Sequence, residues 1–147
     1  MEYAFTDNEL KLERFWVSQA ALIIKSGKLL ILKNSAKEDE WLFPGGRADI
    51  GEIGDDAFAR ELKEEIGVND FTKIVVVDYD IWYTMHRHIP VCTIANLVDI
   101  KDEEIKLSFE HTEFRWITES EVANYNFAWP KAIEFIHKAF KLHKQLV

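Results

Sequence analysis

The feature that most constrains this chain is the placement of three glutamates, Glu61, Glu64 and Glu65. On a helix, that spacing stacks them along one side, one turn apart. Partly buried, at ~6 Å and an effective dielectric near 20, each pair repels by about 3 kcal/mol. Such a face must either stay in water or receive a cation, and hard oxygen ligands suit Mg²⁺ or Mn²⁺. The segment 55–66, DDAFARELKEEI, is expected to be that helix, with acids in its first turn and Gly67 at its stop. Leu62 and Ile66, with Ala59 behind them, form an apolar stripe that fixes where the acids point.

The rest of the composition sharpens this reading. The chain has 147 residues and a formal net charge of -8, from 18 Lys+Arg against 26 Asp+Glu. Residues 46–68 hold 3 basic and 7 acidic groups, half of the excess in 23 positions. The acidic balance argues against nonspecific nucleic-acid binding, which depends on Lys and Arg releasing counterions from phosphates, and no nucleic-acid partner is expected. It leaves room for a nucleotide bridged by a metal. A single cysteine, Cys92, excludes an intrachain disulfide. With no secretory signal and no apolar run longer than five residues, a cytosolic protein with no membrane contact is expected.

No linker or repeat divides the chain, so a single domain over 1–147 is expected, of α/β class with a mixed sheet. Phe15–Ile24 and Leu29–Lys33 read as strands across a Ser26-Gly27-Lys28 turn. Lys73–Met85 alternates, with Tyr79, Ile81, Tyr83 and Met85 on one face and Asp78, Asp80, Trp82 and Thr84 on the other, as in a half-buried strand. Pro90–Val98 and Glu113–Ile117 complete the strands. Residues 129–147 read as a helix with Pro130 in its first turn and Ile133, Ile136, Phe140 and His143 on one face.

Upstream of the glutamates, Phe43-Pro44-Gly45-Gly46 and Gly51 form a tight loop that permits close backbone approach to a ligand. Together the residues Gly46-x5-Glu52-x7-Arg60-Glu61-Leu62-x-Glu64-Glu65-x-Gly67-Val68 match the Nudix box at all nine specified positions, over 46–68. The chain thus resembles the Nudix (MutT-like) hydrolases. Trp41-Leu42-Phe43-Pro44-Gly45 before the box and Glu110-His111-Thr112-Glu113-Phe114-Arg115-Trp116 after it agree with the family.

The resemblance implies an α/β/α sandwich and a Mg²⁺-dependent pyrophosphohydrolase, cleaving a nucleoside diphosphate linked to another moiety X. By position, Glu61, Glu64, Glu65 and Gly45 look like the metal-binding residues. Glu52 looks like a metal-site or orienting carboxylate, Arg60 like its partner, and Glu110 like the distant acid that binds metal or acts as base. The base stays open between Glu110 and a box glutamate. Many members dimerise, so a homodimer is compatible with the resemblance. Ile53 stands where Ser or Thr often caps the helix, Asp49 where Glu is frequent and Ile66 where Thr is common.

Lys33, Arg47 and Arg87 are candidates for substrate phosphates, with Gly46 at the loop; Lys37 and Arg14 are further cations. Trp16, Tyr79, Trp82 and Tyr83 are candidates to stack a base, though strand aromatics are usually core. His86, Arg87 and His88 read as a solvated hairpin tip, and His111 as a weaker acid/base candidate. Two other readings belong to the same fold: a nucleotide-sensing module that does not cleave, and a prenyl diphosphate isomerase. The isomerase would need a reactive cysteine near the glycine loop, and Cys92 is not there. A calcium-binding reading rests on Asp78-x-Asp80 and Asp102-Glu103-Glu104, which lack the Gly and terminal Glu of an EF-hand loop.

Overall fold

Strand β1, Trp16–Lys25, runs through the middle of the molecule. Its residues 19–24 are buried without a break, as required of a strand covered on both faces. Ala21 and Ile23 face one hydrophobic cluster, Leu22 and Ile24 the other. The structure, a computed structural model, describes residues 4–101 and 104–147. Asp102 and Glu103 of the acidic run therefore lie outside the described residues.

β1 turns through Ser26-Gly27, both at positive φ, into antiparallel β2, Lys28–Asn34. On its other side β1 pairs in parallel with β6, Pro90–Ile100, over eight positions. β6 in turn pairs antiparallel with the edge strand β5, Phe71–Tyr83. The short β3, Trp41–Leu42, and β7, His111–Ile117, flank β2. β4, Gly45–Arg47, pairs antiparallel with the first half of β1. The result is a seven-stranded mixed sheet.

Helix α1, Gly54–Ile66, covers one face, packing Phe58, Leu62 and Ile66 on Ala21, Ile23, Leu30, Leu32 and Val98. Ala59 is exposed; Phe58 completes the stripe instead. Ile53 is the N-cap and offers no side-chain bond, so the acids Asp55 and Asp56 alone complement the helix start. Gly67, φ +71°, ends the helix as its N–H reaches Lys63 O, and Val68 N–H reaches Leu62 O.

Helix α2, Ala132–Leu146, covers the other face. It begins three residues later than the sequence pattern suggests, because Pro130 precedes the N-cap Lys131. Its buried stripe is Ala132, Phe135, Ile136, Ala139 and Phe140, with Ile133 turned outward at 44% exposure. The expected α/β/α sandwich is therefore present.

In β5 the two faces are exchanged relative to hydrophobic expectation. Tyr79, Ile81, Tyr83 and Met85 are exposed, whereas Asp80 is buried. Near this end of β5, Lys131 and Trp129, just before α2, supply partners for Asp80. This orientation lets the buried Asp80 satisfy both carboxylate oxygens.

Candidate active site

Glycine at position 45 is demanded by the backbone. Its φ is +145°, and a Cβ there would lie 2.0 Å from Gln19 O. This close approach lets the Gly45 N–H reach across to helix α1, where it donates to Glu65 Oε2 at 2.8 Å. At Gly46 a Cβ would lie 2.4 Å from the carboxylate carbon of Glu61. Two box glutamates thus face a glycine strand with no side chain between.

Arg60 holds the next layer. Its Nε and Nη2 donate to the two oxygens of Glu52, each at 2.8 Å, the bidentate geometry of a strong ion pair. Nη1 reaches Glu61 at 3.0 Å and Glu64 at 3.1 Å. Glu52 also accepts the Asp49 N–H at 2.7 Å, closing the loop before the helix. Arg60 and that N–H hold the Glu52 carboxyl down at about 2. Glu61 moves the opposite way: burial and the charge of Glu65 push its carboxyl above the usual range, although Arg60 pulls it back.

The distant acid arrives by a strap over the end of α1. Lys106 N–H donates to Ile66 O and Ser108 N–H to Glu65 O. These bonds set Glu110 and His111 beside the helix as β7 begins. One ligand atom from each of Glu65, Glu110 and His111 falls within 4.8 Å of the others. The His111 ring is buried, and among the described residues neither ring nitrogen has a hydrogen-bond partner. Its Nε2 is 3.5 Å from Glu65 Oε1, too far for one. Burial lowers the His111 pKa, but the neighbouring Glu65 and Glu110 carboxylates outweigh it and hold it raised.

These groups sit at one end of a cavity of about 520 Å³. Gly45, Gly46, Arg47, Glu61, Glu65, Glu110 and His111 line that end. Trp82, Trp129 and Phe43 form aromatic walls elsewhere in it, above a floor of Ser18, Ala20 and Thr93. The walls are pinned: Trp82 Nε1 donates to Thr93 Oγ1 at 2.9 Å, and Trp129 Nε1 to Asp80 Oδ2 at 2.9 Å. Lys131 pairs with the other Asp80 oxygen at 3.2 Å.

Among the other sequence candidates, Glu64 is 60% exposed and turned to Arg60, and Glu52 stands behind Arg60; neither lines the cavity. Lys33 faces Glu113 at 4.0 Å and the Trp41 ring, also outside the lining. Arg87 lies at the β5–β6 hairpin, over Trp16. Tyr79 and Tyr83 are on the opposite, exposed side of β5 from Trp82. Cys92 is half-buried and does not line the cavity. The Asp78-x-Asp80 pair is consumed by Lys138 and Lys131, which removes the calcium reading at that point.

Sequence reasoning missed Trp129, Phe43 as a wall, and the floor residues Ser18, Ala20 and Thr93. Trp129 was legible only as a helix start. What brings it here is the bonding of 126–128 to β3, with Trp41 N–H on Asn126 O and Ala128 N–H on Trp41 O.

The NUDIX domain family model matches residues 15–139. The chain is 37% identical over 68 residues to an RNA pyrophosphohydrolase of Campylobacter jejuni subsp. doylei, covering 43% of this chain and 42% of that one. It thus spans under half the length of that relative. A bis(5'-nucleosyl)-tetraphosphatase of Rattus norvegicus is 32% identical over 94 residues, 61% of this chain and 63% of the relative. The Escherichia coli ORF135 protein shares the fold at a TM-score of 0.73 and 23% identity, covering 90% of this chain and 94% of that one. The box geometry, the sandwich and the extent of the family match together establish that this chain belongs to the Nudix (MutT-like) hydrolase family.

Proposed function

We propose that this protein is a divalent-metal-dependent pyrophosphohydrolase that cleaves a nucleoside diphosphate linked to a further group. The observation that carries the reading is the convergence of Glu61, Glu65, Glu110 and a buried His111, whose ring nitrogens carry no hydrogen bond among the described residues, on one end of an aromatic-walled cavity. Burial first, and the charge of Glu65 second, raise the Glu61 proton affinity against the pull of Arg60, which marks a donor set short of positive charge. The hard carboxylate oxygens fit Mg²⁺ or Mn²⁺. Glu61, Glu65 and Glu110 would hold the ion, with His111 in reach, and Glu64 joins them through its box position.

Such an ion, when bound, supplies charge for the phosphates and acidity for a water. The chain's own residues do the rest. Gly45 fixes Glu65 through its N–H, and Arg60 fixes Glu61 and Glu64 while Glu52 fixes Arg60. Preorganised geometry of this kind is where most phosphoryl-transfer catalysis resides. Two carboxylates qualify as proton acceptors, Glu110 at the exposed wall and Glu61 with its raised affinity. Trp82, Trp129 and Phe43 offer apolar faces for a nucleobase, and Arg47 a guanidinium for a phosphate.

The sensing-module reading differs only in turnover. Incubation with a panel of nucleoside triphosphates, nucleotide sugars and dinucleoside polyphosphates in Mg²⁺, followed by phosphate detection after phosphatase treatment, separates the two. Release from at least one class is expected. Tight binding with no release from any class would replace hydrolysis by sensing.

A further inference from the structure

We propose that the uncharged part of the sheet face beside helix α1, formed by β1, β6 and β5, docks on the same face of a second copy of this chain as a two-fold dimer. The register defines the face. Ile81, Cys92 and Val17 form one row across the three strands, Tyr79, Ile94 and Gln19 the next, and Tyr83 with Pro90 extends it outward. Alternation puts these side chains opposite the cavity floor of Ser18, Ala20 and Thr93. Helix α1 starts too late to cover them. Gln19 Nε2 donates to Gly54 O at 2.6 Å, so the first turn sits at the Gln19 row, and the helix then packs onward over Ala21 and Ile23.

What the helix leaves uncovered is apolar. Along β5, Tyr79, Ile81 and Tyr83 are 61%, 54% and 49% exposed, and Val76, brought to the same face by the bulge before Asp78, is exposed as well. Ile53, the N-cap of α1, borders the Gln19 row and is 72% exposed. A Ser, Thr, Asn or Asp at that position would accept a helix N–H, yet this chain holds an apolar side chain in solvent there. Contact with a partner accounts for both features. β5 is also the edge of the sheet. From Asp78 to Tyr83 its pairing has no bulge and its sequence no Lys or Pro, the devices that keep an edge strand from associating. The acids there, Asp78 and Asp80, are engaged by Lys138 and Lys131.

Charge selects the occupant. The chain has a formal net charge of -8, so two copies repel wherever their acids meet. On this face, the rows from Val76 to Tyr83 across β6 to β1 contain no Asp, Glu, Lys or Arg. A charged partner finds nothing to pair with, whereas a second copy brings a matching uncharged surface. Val17, Ile53 and the four β5 residues, exposing roughly 100 Å² each, offer on the order of 600 Å² per copy and about 1,200 Å² per pair, the lower bound of specific, stable interfaces. Two-fold packing uses the same patch on both chains and therefore closes on itself. Ile53 directly follows Glu52, whose carboxylate Arg60 holds, so a partner seated here braces the loop that enters α1.

Dimerisation is independent of hydrolysis, and its test needs no substrate. Sedimentation equilibrium of the full chain should give the mass of two chains at micromolar concentration. Cys92, the single cysteine, lies in the middle strand of the face and is half-buried. Its alkylation by a maleimide should slow as the protein concentration rises through the dimer range. Ile81→Glu and Tyr79→Glu, both at exposed positions, should each raise the dimer dissociation constant at least about 100-fold by burying an unpaired charge. They should also remove the concentration dependence of Cys92 labelling. Ile53→Ser should weaken the dimer about tenfold while raising the melting temperature of the dilute monomer, because it restores the missing cap. The mass of one chain at every concentration up to the solubility limit, or a dimer that survives both glutamate substitutions, would overturn the proposal.

Discussion

The backbone N–H of Gly45 donates to Glu65 Oε2 at 2.8 Å, tying the glycine strand to the acidic helix. The approach exists only because neither Gly45 nor Gly46 has a side chain, and the two fail differently when one is added. At Gly45 an added Cβ meets fixed backbone at 2.0 Å and the φ is +145°. Gly45→Ala should cost about 3 kcal/mol of stability or more. At Gly46 the Cβ meets only the movable end of Glu61. Gly46→Ala should keep stability within about 1 kcal/mol yet lower turnover about 100-fold, because it displaces a site carboxylate by roughly an ångström. Urea melts and steady-state kinetics on both variants check this; equal behaviour of the two would contradict it.

Even with Arg60 at 3.0 Å, burial and the charge of Glu65 leave Glu61 short of positive charge, and its ionised form should destabilise the metal-free fold. Its carboxyl is raised in the folded protein, so the unfolded chain ionises first as pH rises through about 4.5. Stability then falls until the folded-state carboxyl ionises as well, and the deficit persists at neutral pH. Glu61→Gln should therefore raise the metal-free melting temperature, by about 2–4 °C per kcal/mol gained. Added Mg²⁺ should stabilise the wild type by about 2.7 kcal/mol at about 100 times its Kd, and the variant by less. Calorimetry with EDTA and with Mg²⁺ reads both signs.

Glu52 has the opposite linkage. Its pKa of about 2 in the folded protein lies below the ordinary 4.5, because Arg60 and the Asp49 N–H favour the carboxylate. Stability from this pair is complete above about pH 4.5 and is lost as the pH falls toward about 2. Glu52→Gln should flatten the acid limb of the stability profile in that window. Arg60→Lys, which cannot keep two parallel bonds to Glu52, should cost about 10- to 100-fold in activity or metal affinity, of the order of a supporting-shell loss.

Much of the candidate site was legible because the Nudix box compresses it into consecutive turns of one helix. Glu61 and Glu65 needed only the helical period, and Gly67 only the need for a left-handed stop. Glu110 was legible only through the family's pattern; physically it depends on the strap bonds from Lys106 and Ser108. The aromatic walls were not legible. Alternation along β5 separates Tyr79 from Trp82 but does not say which side a helix covers, and hydrophobicity favours the wrong one. Asp80 finds its partners, Trp129 and Lys131, only about fifty residues later. Separation in sequence also hides the contacts of the Arg47 and Arg87 guanidiniums with the Trp16 ring, whose members come from β4, a hairpin and β1.

The most direct test of the central claim is the Mg²⁺ dependence of nucleotide pyrophosphate hydrolysis in the wild type and in Glu65→Gln. The side-chain amide introduced by Glu65→Gln retains an oxygen for the Gly45 N–H, so the fold should persist with a nearly unchanged metal-free melting temperature. The wild type should turn over only with a divalent cation, and the variant should lose at least about 100-fold, the scale of a lost site ligand. Undiminished turnover in the variant, or equal turnover in EDTA, would contradict a metal cradle built on this helix.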